Sequence, residues 1–226
     1  MVSEHEWLFV GGMMRTGTTL MARLLTLHPE GFVTAECGWP LTTYWSFAAP
    51  PAGYGYAEFG GWRGDSSIRV QWPAKRIEQY DDPASVTRAM CDGYVSRLHP
   101  EVRVCGDKWP NFGALHADGS GRRVWEDLRV VWPDCKLLWM DRDFEAAIES
   151  ACRTWPHGDE ATFRAQAKER RIGQRLCEDA YWVRLEALNA NPREVIEGVL
   201  EFANLPAETY PWETFDQHFR EGHRVN

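Results

Sequence analysis

The segment Leu8-Phe9-Val10-Gly11-Gly12-Met13-Met14-Arg15-Thr16-Gly17-Thr18-Thr19-Leu20-Met21 restricts what this chain can become more than any other. Three apolar residues run into a glycine turn, a hydroxyl-rich loop follows, and an apolar-periodic run comes after it. This predicts a strand, a phosphate loop and a helix N-terminus. The backbone N–H groups of such a loop and the positive end of the helix dipole point at an anion. Gly12-x-x-x-x-Gly17-Thr18-Thr19 fits the P-loop spacing, with Thr18 where the lysine belongs. A cation stands inside the loop instead, at Arg15. The loop therefore predicts phosphate binding in a manner unlike that of an ATPase.

Downstream, apolar runs alternate with helical patterns. Strands are expected over 7–10, 32–35, 101–106, 136–140 and 181–185. Helices are expected over 18–27, from Asp82-Pro83 to about 98, and over 124–131, 144–153, 159–179 and 192–203. The 159–179 helix is rich in charge and reads as a solvated face, and the tail after Leu205 is poorly patterned. Alternation of this kind predicts an α/β, three-layer P-loop-type fold, with a mainly parallel central sheet flanked by helices. Ligands of such sheets sit at the C-terminal strand ends. Residues 15–19, Glu36, Lys108 and Arg142 all fall there. We expect a single domain over 1–226. Its Trp-, Gly- and Pro-rich insertion at about 38–75 would form a substrate wall or lid, with a short helix over 41–47 as one alternative.

A formal charge of −8 argues against a broad nucleic-acid surface, yet leaves room for a small anion held by local cations. No run is long and apolar enough to span a bilayer, and the N-terminus does not read as a secretory signal, so a cytoplasmic location is expected. The six cysteines include no C-x-x-C pair and read as reduced, mostly buried thiols. Twelve tryptophans are an excess. Those in polar or Gly/Pro surroundings, Trp39, Trp45, Trp62, Trp72, Trp109 and Trp155, suit the walls of an aromatic cleft.

Taken together, Arg15-Thr16-Gly17-Thr18-Thr19-Leu20 with His28-Pro29 resembles the 5′-phosphosulfate loop of sulfotransferases that use 3′-phosphoadenosine 5′-phosphosulfate (PAPS). In style it is nearest to the bacterial and tyrosylprotein types. The strand from Lys136 into Asp141-Arg142-Asp143, with Ser150 eight residues beyond Arg142, resembles their second signature. Gly106-Asp107-Lys108-Trp109-Pro110 is similar to the D-K-T-P segment, and Arg184-Leu185-Glu186-Ala187-Leu188 to the Y-E-D-L segment. The resemblance covers about 7–205. There are departures: Met13-Met14 before the loop cation, Thr16 for serine, Asp141 at a commonly apolar position, Phe144 for proline and Leu185 for tyrosine.

The resemblance implies PAPS as donor, 3′,5′-adenosine diphosphate as product and no required metal. Donor binding falls to Arg15, Thr16, Gly17, Thr18 and Thr19 on one side and to Arg142 and Ser150 on the other, with Arg153 as a further contact. Glu36 becomes the general base, and Lys108, with Arg15, the catalytic cations. His28 reads as a helix-terminal residue, His116 as a distant substitute base, and Asp107 and Asp143 as partners of Lys108 and Arg142. The acceptor would be a small-molecule, carbohydrate or peptide hydroxyl, with the oligomeric state open. The alternative is a P-loop kinase or nucleotide hydrolase, with Asp141 holding magnesium. A binding protein without turnover is a third reading, although the charged residues are all in place.

Overall fold

The computed structural model describes residues 5–35, 82–116 and 120–222. Its strands are β1 (Glu6–Gly12), β2 (Gly31–Ala35), β3 (Val104–Lys108), β4 (Lys136–Asp141) and β5 (Tyr181–Arg184). They form one sheet in the order β2-β3-β1-β4-β5, and every pairing is parallel. The helices are α1 (Thr18–Thr26), α2 (Pro83–Leu98), α3 (Val124–Val131), α4 (Phe144–Thr154), α5 (Glu160–Arg175), α6 (Leu185–Ala190), α7 (Pro192–Phe202) and α8 (Trp212–Gly222). This is the α/β sheet with flanking helices that the alternating pattern predicts.

Strand periodicity assigns the layers. Leu8, Val10, Val33, Val104, Leu138, Met140 and Val183 face α1, α7 and the C-terminal segment in one core. Trp7, Phe9, Cys105, Leu137 and Trp139 face α2 and α3 in the other. Consecutive strand residues point to opposite faces, so β1 and β4, apolar at nearly every position, are covered on both sides. Caps fix several helix starts: Asp82 accepts from the Ser85 N–H, Asp143 from Ala146 and Asp159 from Thr162.

Four expectations are corrected. β3 starts later than expected and includes Asp107 and Lys108, because its end pairs with Val10 of β1 and Ala35 of β2. Leu185 begins α6 instead of ending β5. The unpatterned tail contains a 3-10 turn, Ala207–Thr209, and then α8. Finally, α5 ends at Arg175 and is not a wholly solvated face: Ala167 and Gln174 are fully buried, and the Trp125 indole N–H reaches the Gly173 carbonyl at 3.1 Å. The 38–75 insertion, its 41–47 helix and Trp39, Trp45, Trp62 and Trp72 lie outside the described residues.

The described cysteines are free, and Cys91, Cys105, Cys135 and Cys177 are buried, as the sequence suggested. No described helix is long and apolar enough to cross a membrane.

Candidate functional site

The loop after β1 closes on itself. Thr16, wholly buried, donates from its hydroxyl to the Met13 carbonyl at 2.8 Å. Two residues adopt left-handed backbone, Arg15 (φ 64°) and Gly17 (φ 91°), and Gly17 delivers the chain into α1. The first turn of α1 has N–H groups with no acceptor inside the helix, the usual basis of an anion cradle. At Gly12 a Cβ would stand 2.5 Å from the Thr16 hydroxyl and 2.7 Å from the Met140 carbonyl. The tight curl of the loop therefore needs glycine there. Thr18 is buried against Gly12, whereas Thr19 is exposed. Leu185 packs over Gly17, so the β5–α6 junction roofs the loop.

A second group stands at the entrance of α4. Arg142 follows β4, Asp143 caps the helix, and Ser150 lies two turns in, nearly buried. These residues are not separate from the loop. Arg15 Nε donates to Ser150 Oγ at 3.1 Å, and Arg142 Nη1 donates to the Arg15 carbonyl at 3.1 Å. The Arg15 guanidinium also lies 5.9 Å from the centroid of the Trp155 ring, close enough for a cation–π contact. Its pKa is lowered, first by burial and then by the nearby charges of Arg142 and Arg153. Among the described residues no carboxylate lies within ion-pair distance of any of the three arginines. Three cations gathered with no described carboxylate among them suit an anion.

Lys108 ends β3 and is 1% exposed. Alternation puts its side chain on the sheet face of Val10 and Gly12, which the loop and α1 cover. Asp107 leaves the opposite face and accepts from the Thr34 hydroxyl at 2.6 Å. Asp143 caps α4, and its own N–H is bound by Glu186 Oε1 at 2.9 Å. Asp143 thus acts as the α4 cap and Asp107 as a partner of Thr34.

Glu36 lies outside the described residues, one position beyond Ala35, which pairs with Lys108. His116 is buried beside Asp127 at 3.1 Å, and Asp127 also pairs with Arg122. Asp141, the magnesium ligand of the alternative reading, accepts from Arg171 of α5 at 2.8 Å. His28 is buried at the end of α1 and bonds the Pro206 carbonyl and the Thr209 hydroxyl, each at 3.0 Å. The sequence offers Trp155 only as one of six tryptophans suited to a cleft wall, and it does not single out Arg171. Both sit in helical or post-helical positions whose partners are set only by the α4–α5 packing.

A glycine loop between β1 and α1 on an all-parallel sheet, hydrogen-bonded to Arg142 and Ser150 at the start of α4, defines an α/β protein of the phosphate-loop type. The chain belongs to the sulfotransferase family, whose model matches residues 8–209. A search of curated proteins gives no significant match. Among solved structures, the sulfotransferase domain of the Synechococcus PCC 7002 olefin synthase is similar at 16% identity, with a TM-score of 0.63 over 92% of this chain and 77% of that one. Sulfotransferase STF9 from Mycobacterium avium is similar at 19% identity, with a TM-score of 0.52 over 92% and 67%. These two likenesses show a shared fold.

Proposed function

We propose that this chain, acting as one domain, moves a sulfuryl group from PAPS to an acceptor hydroxyl. The observation that carries the reading is the Arg15–Ser150 contact, with Arg142 held to the Arg15 carbonyl. It turns the loop and the start of α4 into one continuous cationic cradle. PAPS carries two phosphate regions and needs such a cradle at both ends. The grouped charge of Arg15, Arg142 and Arg153 fits that ligand.

PAPS supplies a sulfuryl group already activated on a phosphate leaving group. The loop N–H groups and the Thr18 and Thr19 hydroxyls hold its 5′ end, and Arg142 and Ser150 hold the 3′-phosphate. Glu36 takes the proton of the acceptor hydroxyl as that oxygen bonds to sulfur. The sulfur–oxygen bond to the phosphate breaks, its electron pair stays on the phosphate oxygen, and Lys108 stabilises the charge developing there. Little covalent chemistry is left to the protein, so positioning and electrostatics dominate. An acidic chain with an aromatic insertion favours an uncharged, partly apolar or sugar-like hydroxyl over an anionic polysaccharide.

The test is a panel of acceptor classes with sulfur-labelled PAPS. We expect label transfer to at least one hydroxyl acceptor. Glu36→Gln should still bind 3′,5′-adenosine diphosphate but transfer nothing measurable. Unchanged transfer in that variant would remove Glu36 as base. Tight magnesium-dependent ATP binding with no response to the bisphosphate would overturn the whole reading.

A further inference from the structure

We propose that the outer face of α2 is an interface between two copies of this chain, whose α2 helices cross about a two-fold axis close to Ala89 and Met90. The inference does not depend on the donor reading above. Shape, a glycine and charge support it.

α2 turns Cys91 and Val95 into the core on the Trp7 face of the sheet. Its outer face carries two neighbouring rows of residues spaced four apart. One is a ridge, Val86, Met90, Tyr94 and Leu98, of which the last three are 48%, 49% and 52% exposed. The other is a groove, Ser85, Ala89 and Gly93, all small and all exposed. Helices pack by setting such ridges into such grooves. A ridge beside a groove on one face is self-complementary, because a two-fold axis sends each ridge into the partner's groove.

Glycine weakens a helix interior. A Cβ at Gly93 would meet no heavy atom within 4 Å, so no described part of the chain requires glycine there. A second helix crossing closely does.

A formal charge of −8 sets two copies against each other, so contact needs a face without excess negative charge. Within α2, Arg88 donates to the Val131 carbonyl at 2.8 Å, and Asp92 accepts from the Trp7 indole N–H at 2.9 Å. The exposed charges of this face are then Asp82 at its start and Arg97 near its end. Their sequence midpoint falls between Ala89 and Met90. An antiparallel crossing centred there brings Arg97 of each copy to the partner's Asp82 and sets Met90 against the partner's Ala89. Because α1 and the loop cover the other face of the sheet, the pairing leaves Arg142 and Ser150 accessible. One helix face is smaller than a standard interface of about 800 Å² per partner, which fits reversible association in the micromolar range.

Sedimentation velocity of the full chain over about 1–100 µM tests this. The wild type should pass from one to two chain masses. Gly93→Gln and Met90→Glu should each weaken association by about tenfold or more. Gln is the better helix former, so the first variant should lose the dimer without a lower melting temperature. Arg97→Glu should also dissociate it by opposing two carboxylates. Adding Asp82→Asn, which keeps the helix cap, should restore part of the association. Bisphosphate binding should be the same in all these variants. A wild type that stays monomeric throughout the range, or a dimer that Gly93→Gln, Met90→Glu and Arg97→Glu all leave unchanged, would overturn the inference and leave the PAPS reading intact.

Discussion

Arg142 donates from Nη1 to the carbonyl oxygen of Arg15 at 3.1 Å, so the first residue after β4 holds the loop after β1 in place. β1 and β4 are adjacent strands, with Gly12 opposite Met140. The sheet therefore delivers both residues to one edge, and this hydrogen bond joins them there.

The first prediction follows from that bond. Arg142→Ala removes a charged donor from the loop and a cation from the cradle. A charged hydrogen bond contributes about 1.5–3 kcal/mol, so the apparent KM for PAPS should rise by about tenfold or more. Arg142 is only partly buried, and the melting temperature should move by no more than a few degrees. Steady-state kinetics beside a thermal melt separates the two effects.

Asp141 and Arg171 make the second. Asp141 ends the apolar run of strand β4, and Arg171 of α5 pairs with it at 2.8 Å. Both side chains are largely out of solvent. Removing one partner leaves the other charge stranded, which costs about 3–5 kcal/mol for a fully buried pair and less for one with this residual exposure. Arg171→Ala should therefore destabilise the chain more than Asp141→Leu with Arg171→Leu in the same molecule. Urea unfolding of the single and double variants measures the difference; a double variant less stable than the single would refute the argument.

His28 gives the third. The Glu30 N–H donates to Nδ1 at 3.0 Å, so Nε2 carries the proton and donates to the Pro206 carbonyl. The imidazole thus ties the end of α1 to the turn before α8. Its neighbour Tyr210 adds a hydroxyl bond to the Leu24 carbonyl at 2.8 Å. His28→Ala should cost about 1–3 kcal/mol through unsatisfied buried groups, or a few degrees in melting temperature for a chain of this size. Differential scanning calorimetry reads this. Bisphosphate affinity should fall much less than in Arg142→Ala, because His28 sits at the far end of α1 from the loop.

The fourth concerns alkaline pH. Burial raises the thiol pKa of Cys135 to about 12 and of Cys177 to about 11, and pushes Cys91, Cys105 and the Tyr210 hydroxyl upward as well. In the unfolded chain these thiols titrate near about 8.5. Above that pH the unfolded state loses protons that the folded state keeps, so stability is full below about pH 8.5 and falls as pH rises. The slope is at most about 1.4 kcal/mol per pH unit for each thiol, and less for the partly exposed ones. Denaturant midpoints at pH 7.5, 9 and 10 should fall in that order. A midpoint that holds constant or rises would contradict it.

Much of the fold was legible because β1, β4, α1, α3 and α4 each carry a local signal: an apolar run, a cap or a period. The misread parts have physical causes. Asp107 and Lys108 look like strand-ending charges, but two neighbouring strands pair with the end of β3 and draw them into the sheet. α8 has few apolar positions, and Phe215 is buried only because the tail folds back beneath α1. At the site, motif spacing placed Arg15, Arg142 and Ser150 at one sheet edge. It could not show that the Arg15 side chain lies on Ser150, because the left-handed turn of the loop and the α4–α5 hairpin settle that. Trp155 was visible only as part of an excess of tryptophan; its place beside Arg15 depends on how α4 ends.

On this reading the loop and the α4 entrance form one site for PAPS. Calorimetric titration of the wild-type chain with 3′,5′-adenosine diphosphate in the presence of a chelator tests it most directly. We expect one site per chain, binding without metal, and loss of that binding when Arg142 and Ser150 are both replaced by alanine. No binding under these conditions, together with magnesium-dependent binding of ATP, would contradict it.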